Sequence, residues 1–421
     1  MTPGPFRPVS FGDFVSRAHA RGTLVVQPRM GFSDPRLMRE GLAATRAADA
    51  LTVGTLTLDS YTRVRDLAAA RKAVDEGVPL NGYPLCTHPA ATTHTLLDGI
   101  LDADFPVQVR HGSPRPEHVV ERLLSLGLDA TEGGPVSYCL PYGRTSLADA
   151  VAAWRSGCTM LAEATTAATP HLESFGGCML GQLCPPSMLI AISALEGAFF
   201  AQHGLRSVSL SYAQQTSHEQ DREAVAALRR LAGELLPGVD WHIVLYAYMG
   251  VYPHSRPGAL NLLSAAARLA VESGAARLIV KTAAEAHHIP KIADNVEALQ
   301  VAAGAAAAAA HATPLPDIAD SEVYEEARAL VHTVLGLHDD IGEALIAAFR
   351  RGLLDIPFCL HPDNAGRTRS FIDNDGRLRW SDTGALPIGR AAAPSRPSLT
   401  STDLLAALSH VQRTYDSGGT P

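Results

Sequence analysis

The amino-acid sequence predicts an α/β protein, a (β/α)8 TIM barrel with a C-terminal accessory subdomain. Three observations carry this. Apolar β-like runs alternate with amphipathic or alanine-rich stretches from about residue 21 to residue 312, and alternation of that length implies parallel strands covered by helices. The number of repeats is about that of an eight-fold barrel. No glycine-rich GxGxxG turn follows any run, which argues against a doubly wound nucleotide-binding sheet.

In chain order, residues 1–20 read as an N-terminal arm and 21–313 as the barrel. The β-like runs are Thr23–Met30, Leu51–Leu58, Leu80–Leu85, Val107–Arg110, Ala130–Glu132, Gly181–Pro185, Val208–Tyr212, Trp241–Met249 and Arg277–Lys281. Helical patterns fill the intervals: Pro35–Ala50, Thr62–Glu76, Ala91–Ala103, Pro116–Ser125, Leu147–Ala162, Met188–His203, His218–Leu236, Ala259–Ser273 and Asn295–Ala312. Pro314-Leu315-Pro316 marks a boundary, and residues 314–390 form the accessory subdomain. It holds an acidic helix (Asp320–His332), a second helix (Ile341–Arg351) and a hairpin whose turn is Asn374-Asp375-Gly376. Residues 391–421 are Pro-, Ser- and Ala-rich, expected to be a partly disordered tail with one short helix near Leu404–Thr414.

Apolar residues make up 46% of 421, enough to bury a sizeable core. A formal net charge of -8 argues against nucleic acid or an anionic membrane as the main partner. No run is long and apolar enough to span a bilayer, and the first residues lack the apolar core of a signal peptide. The 6 cysteines form no CxxC pair and read as reduced thiols of a cytoplasmic protein. The histidines have no H-x-H after a first strand, so no metal site is expected.

Charge placement points to a ligand. Arg29 in LVVQPRM, Arg63 in LTLDSYTR and Arg110 in FPVQVRHG each end a β-like run, and Glu132 in DATEGG occupies the same kind of position. Parallel strands in one barrel bring their C-terminal ends together, where barrel sites form. Planar guanidiniums match carboxylates bidentately, and a carboxylate holds an ammonium. Three forks and one carboxylate therefore describe a small amino-dicarboxylic acid such as glutamate.

At these residues a resemblance becomes specific. QPRMG, LDSYTR, NGYPL at 81–85, VQVRHG, TEGGPVSYCLPY, FGG…PPS at 175–187, YMGVYP, LIVKTAAEA and DIPF…DNAGRTR resemble, in order, successive blocks of the large (epsilon) subunit of glutamate mutase, or methylaspartate mutase, from about residue 10 to 390. The resemblance implies a TIM barrel and a radical isomerisation of (S)-glutamate to (2S,3S)-3-methylaspartate. It also implies adenosylcobalamin shared with a separate small cobalamin-binding subunit, and a dimer of large subunits flanked by small ones.

By the same resemblance, Arg29, Arg63, Arg110, Glu132, Tyr138 and Tyr142 face the substrate, with Arg29, Arg63, Arg110 and Glu132 as the catalytic set. Contacts to the cofactor are implied for Arg63, Pro141, Phe175, Met249, Arg277, Lys281 and Glu285. The implied reaction parts the substrate into two fragments, each with a carboxylate. Two separate grips keep them together until they rejoin, which accounts for three arginines. Departures from the family pattern are Arg277 for lysine, Ala284 for histidine, Cys86-Thr87-His88-Pro89 for VNHG, and Pro135 for the third glycine of EGGG. Asp240-Trp241-His242 begins the cobalamin signature D-x-H-x-x-G, but Leu245 replaces its glycine within a strand-like run. That signature is therefore expected on the partner subunit.

Plainer readings stand beside these. Glu132 before Gly133-Gly134 suits a helix cap, Tyr138 and Tyr142 suit a core, Met249 suits barrel filling, and Lys281 with Glu285 suits a structural pair. For function, the alternatives are a mutase of a related 2-amino dicarboxylate, or a non-catalytic homologue that binds a dicarboxylate.

Overall fold

A computed structural model describes residues 10–141, 143–166, 168–175, 183–310, 320–389 and 400–419. Eight strands lie parallel: β1 (Val25–Gln27), β2 (Gly54–Thr57), β3 (Val107–Arg110), β4 (Ala130–Glu132), β5 (His171–Glu173), β6 (Ser207–Ala213), β7 (Asp240–Tyr246) and β8 (Arg277–Ile279). From β2 to β8 each pairs with the next, and β8 pairs with β1. A parallel bridge between Val26 and Thr52, at the start of β2, closes the cylinder. All seven residues of β6 are buried, as expected where helices cover the outside and side chains fill the inside.

The helices are α1 (Phe11–Ala20), α2 (Pro35–Arg46), α3 (Ser60–Arg63), α4 (Leu67–Asp75), α5 (Ala90–Leu97), α6 (Glu117–Ser125), α7 (Leu147–Glu163), α8 (Pro186–Gln202), α9 (His218–Leu235), α10 (Arg256–Glu272), α11 (Ile292–Ala309), α12 (Glu322–Leu335), α13 (Ile341–Arg351), α14 (Ser401–Leu408) and α15 (His410–Asp416). Their starts are written in the sequence. Asp34 caps α2 with Pro35 at the first position, Ser146 caps α7, Ser217 caps α9 and Asp340 caps α13. Gly352 ends α13 in the left-handed conformation, φ 72°.

Part of the expected N-terminal arm is a helix with a defined place. Phe11 of α1 is buried, stacks on His171 at 5.3 Å and lies under the Arg277 guanidinium at 5.0 Å. Both partners begin their strands, so α1 plugs the N-terminal end of the barrel. Residues 1–9 lie outside the described residues.

Two strand expectations need correction. Leu80–Leu85 is a loop that touches β2 through one bridge, Leu58 with Tyr83. Pro84 and the tight approach of Gly82 to the Leu58 backbone stop a ladder. The fifth strand is His171–Glu173. Residues 183–185 lead instead into α8, and 181–182 lie outside the described residues.

After the barrel, α12 packs on α8 and α9, and α13 on α7 and α8. The antiparallel hairpin β9 (Arg369–Ile372) and β10 (Leu378–Asp382) turns at Asp373–Gly376. Among its described residues the tail carries two short helices, not one. The second, α15, packs on α10, where Asp416 accepts from the amides of His254 (3.0 Å) and Ser255 (2.8 Å). Among the described residues no helix is long and apolar enough to cross a membrane.

Candidate active site

The barrel interior is polar along one column. Gln27 donates to Thr55 (2.9 Å) and Gln108 (2.9 Å), and Gln108 donates to Glu173 (3.1 Å). Arg277, at the start of β8, is fully buried and bonds Gln27 and Glu173. It stands four residues before Lys281, at the opposite end of its strand from the mouth. The implied cofactor contact at Arg277 therefore needs correction: this side chain faces Phe11 and Glu173 inside the barrel.

Above this column sits an ion-pair cluster formed by strand ends. Arg110 ends β3, Glu132 ends β4, Glu173 ends β5 and Tyr246 ends β7. Arg110 lies 2.6 Å from Glu132 and 3.6 Å from Glu173, with Arg110 3% and Glu132 2% exposed. The Tyr246 hydroxyl bonds both Glu173 and, at 3.2 Å, Glu132. Tyr138 donates to Glu132. The Arg110 guanidinium is flanked by Phe175 (5.6 Å) and Tyr246 (5.2 Å), and Tyr138 packs on Phe175 at 4.8 Å. This aromatic jacket excludes water and strengthens every charge interaction within it.

The environment splits the two carboxylates. Burial raises the pKa of Glu132 above the usual range, against the Arg110 charge. Burial also acts on Glu173, but the Arg277 and Arg110 guanidiniums outweigh it and hold its pKa low. Burial and the neighbouring guanidiniums thus push the two carboxylates in opposite directions.

The other expected residues take these places. Arg29 follows β1, half-buried, with its guanidinium 3.9 Å from Met249 sulfur and close enough to act on Glu132. Arg63 ends α3, not a strand, and its Nε lies 3.4 Å from the His111 carbonyl, next to Arg110. Lys281 follows β8 and pairs with Glu285 at 3.2 Å. Arg29, Arg63, Arg110, Glu132 and Lys281 thus share the C-terminal end of the barrel, where Arg110 and Glu132 are in direct contact. Tyr142 lies outside the described residues. Pro141 lines a cavity of about 710 Å³ beside the mouth, with Tyr138, Arg63, Arg65, Arg115 and Arg144. Among the described residues no carboxylate lines it, so it is strongly positive within an acidic chain.

Glu173 and Tyr246 were not singled out from the sequence. A signal exists for both. Glu173 ends a short HLE run just before Phe175, as Glu132 ends ATE before Gly133. Tyr246 follows His242 and Val244 at the period of two that marks the inward face of β7. His242 itself stacks on His171 in the barrel interior, ring centroids 5.1 Å apart, consistent with its reading as a strand residue.

The sequence is similar to known proteins over most of its length. The family model described as "Methylaspartate mutase E chain (MutE)" matches residues 8–396. A glutamate mutase epsilon subunit of Desulfitobacterium hafniense (strain Y51) is 30% identical over 404 residues, covering 90% of this chain and 81% of the relative. One from Halobacterium salinarum is 31% identical, with 87% and 78% covered, and one from Escherichia coli O157:H7 is 29% identical, with 88% and 80% covered. With the barrel, the strand-end ion pair and a match over nearly the whole chain in hand, this protein belongs to the methylaspartate mutase E chain family.

Proposed function

We propose that this chain is the catalytic large subunit of a glutamate mutase, an isomerase that converts (S)-glutamate to (2S,3S)-3-methylaspartate. The observation that carries this reading is the buried Arg110–Glu132 pair. An amino acid presents a carboxylate and an ammonium on one carbon, and this pair presents the complementary charges 2.6 Å apart. A zwitterion that inserts between them replaces one ion pair by two, without leaving a buried charge unmatched.

Arg29 and Arg63, on neighbouring strands' loops, take the distal carboxylate, with Tyr142 as a further donor. Glu132 holds the ammonium, and its raised pKa lets it accept a proton from that group. A less positive nitrogen stabilises a radical on the adjacent carbon. Tyr138 fixes the Glu132 carboxylate, and the Phe175–Tyr138–Tyr246 wall keeps water from the reacting carbons.

The group implied by the family is adenosylcobalamin, and the residues fit it. Lys281 and Glu285 offer a donor and an acceptor side by side, as a vicinal diol requires. The buried hydroxyls of Tyr248 and Tyr252 have no hydrogen-bond partner among the described residues, and the Tyr252 ring lies 5.2 Å from Lys281 Nζ. Met249, Phe175, Pro141 and Arg63 supply the rest of the wall. When bound, this group supplies the hydrogen-abstracting radical. A small partner subunit carrying D-x-H-x-x-G holds most of it, and this chain pairs with a second copy of itself. Exposed Val64, Val251, Ile289 and Leu360, the last 96% exposed, lie in loops of the mouth and suit burial against that subunit.

The test mixes the chain with such a subunit, adenosylcobalamin and, separately, glutamate and other 2-amino dicarboxylates. Formation of 3-methylaspartate from glutamate is expected. Turnover of another acid alone transfers the reading to that substrate, and turnover of none refutes it.

A further inference from the structure

Glu196 is a fully buried carboxylate in α8, outside the ion-pair cluster and outside every block singled out in the sequence. Such a group is costly to bury and calls for a specific partner. Its partners are backbone amides. Glu196 Oε1 accepts from Val136 N at 2.9 Å and from Ser137 N at 2.9 Å. These amides open the turn that carries Tyr138, whose own amide bonds the Gly134 carbonyl at 3.2 Å. Gly134 is needed for this approach, because a Cβ there would overlap the Glu196 carboxylate. The backbone is closely packed at the preceding residue as well. A Cβ on Gly133 would overlap the Tyr138 and Trp154 rings.

We infer that Glu196 is a positioning residue that pins the Val136–Ser137 turn and so holds the Tyr138 hydroxyl on Glu132. This rests on the mutase reading for its consequence in turnover, though not for the contact itself. Burial pushes the Glu196 carboxyl up to about 7, against the opposing pull of the backbone amides. Its Oε2 makes no direct hydrogen bond among the described residues, while the Ser137 hydroxyl and the Phe175 amide lie near enough to act on the carboxylate. A proton on Oε2 leaves both amide bonds in place, so a neutral acceptor of the same shape suffices. Glutamine is such an acceptor, and alanine is not.

The experiment compares parent, Glu196→Gln, Glu196→Ala, Tyr138→Phe and the Glu196→Ala/Tyr138→Phe double variant of the full chain. Two readouts are taken. Hydrogen exchange of the Val136 and Ser137 amides, measured on the chain alone, is expected to quicken at least about tenfold in Glu196→Ala and to stay near parent in Glu196→Gln. Turnover of glutamate in the complex with the small subunit is expected to fall at least about tenfold in Glu196→Ala and to recover most of that loss in Glu196→Gln. It is expected to fall no further when Glu196→Ala is added to Tyr138→Phe. Unchanged exchange in Glu196→Ala overturns the inference, as does a full multiplication of the two losses. A Glu196→Ala chain that fails to fold leaves the decision to glutamine, whose exchange must match the parent. A parent without turnover sinks the mutase reading alone, because the exchange comparison still decides whether Glu196 holds the turn.

Discussion

Arg110 Nη2 lies 2.6 Å from Glu132 Oε2, and the two side chains end adjacent strands of the barrel. The register sets this. Thr131 pairs with Val109 between β3 and β4, so the next residue on each strand points into the barrel at the same height. Replacing Arg110 by lysine keeps one charge but loses the fork that meets Glu132, Glu173 and Tyr246 together, and the planar face held between Phe175 and Tyr246. Arg110→Lys is expected to lower kcat/KM for glutamate at least about tenfold. A value within twofold of the parent would show that Arg110 does not grip substrate.

Arg277 leads to a different expectation, one of stability. It shares a fully buried ion pair with Glu173. Removing Arg277 leaves Glu173 only the Arg110 guanidinium, 3.6 Å away, at a cost of up to about 3–5 kcal/mol, the figure for a buried charge left wholly unpaired. Arg277→Ala is expected to lower the urea midpoint accordingly, before any effect on cofactor binding is considered. A midpoint equal to the parent's would show that the buried pair adds nothing to stability.

Gly133 is the hinge of the Glu132 loop. Its φ of 125° is one that L side chains rarely adopt. Gly133→Ala is expected to cost about 1–3 kcal/mol in strain and to weaken glutamate binding by displacing Tyr138. Calorimetric titration of the variant with glutamate checks this, and parent-like affinity would show that the loop does not set the site.

Much of this architecture was legible from pattern. β3 and β4 carry the bounds the sequence suggests, and Asn374-Asp375-Gly376 marks the hairpin, because β-branched runs and turn residues act locally. Arg110 was legible because charge at the end of an apolar run is conspicuous, while Arg63, read in the same way, ends the short helix α3. The fifth strand was not, because in His171-Leu172-Glu173 one apolar residue stands between two polar ones directly after Pro170, so no apolar run stands out. The Leu80–Leu85 error has the opposite cause. Tyr83 and Leu85 are buried by packing over the strand end, and burial without a ladder looks like a strand in one dimension. The polar column of Gln27, Gln108, Glu173 and Arg277 is long-range by nature. No local signal tells which charges meet across a barrel, so Arg277 read as a ligand contact when it pairs inward.

Asp221 gives a prediction about pH. Its buried carboxylate accepts from the Tyr212 hydroxyl at 2.6 Å and from the Gln215 amide at 2.9 Å. Burial pushes its pKa up to about 7 from the usual 3.8, despite those donors. Between these two values the native state holds a proton that the unfolded chain has lost. The contribution of this group to stability is therefore fully present below about pH 4 and is lost as pH rises through about 7, by up to about 1.4 kcal/mol per unit. Asp221→Asn cannot ionise and lacks that slope, whatever fixed cost the amide brings. Urea midpoints of both proteins at about pH 5, 6, 7 and 8 are expected to converge or cross in favour of the variant up to about pH 7 and to run parallel above it. Curves parallel throughout would show that Asp221 ionises alike in the folded and unfolded chain.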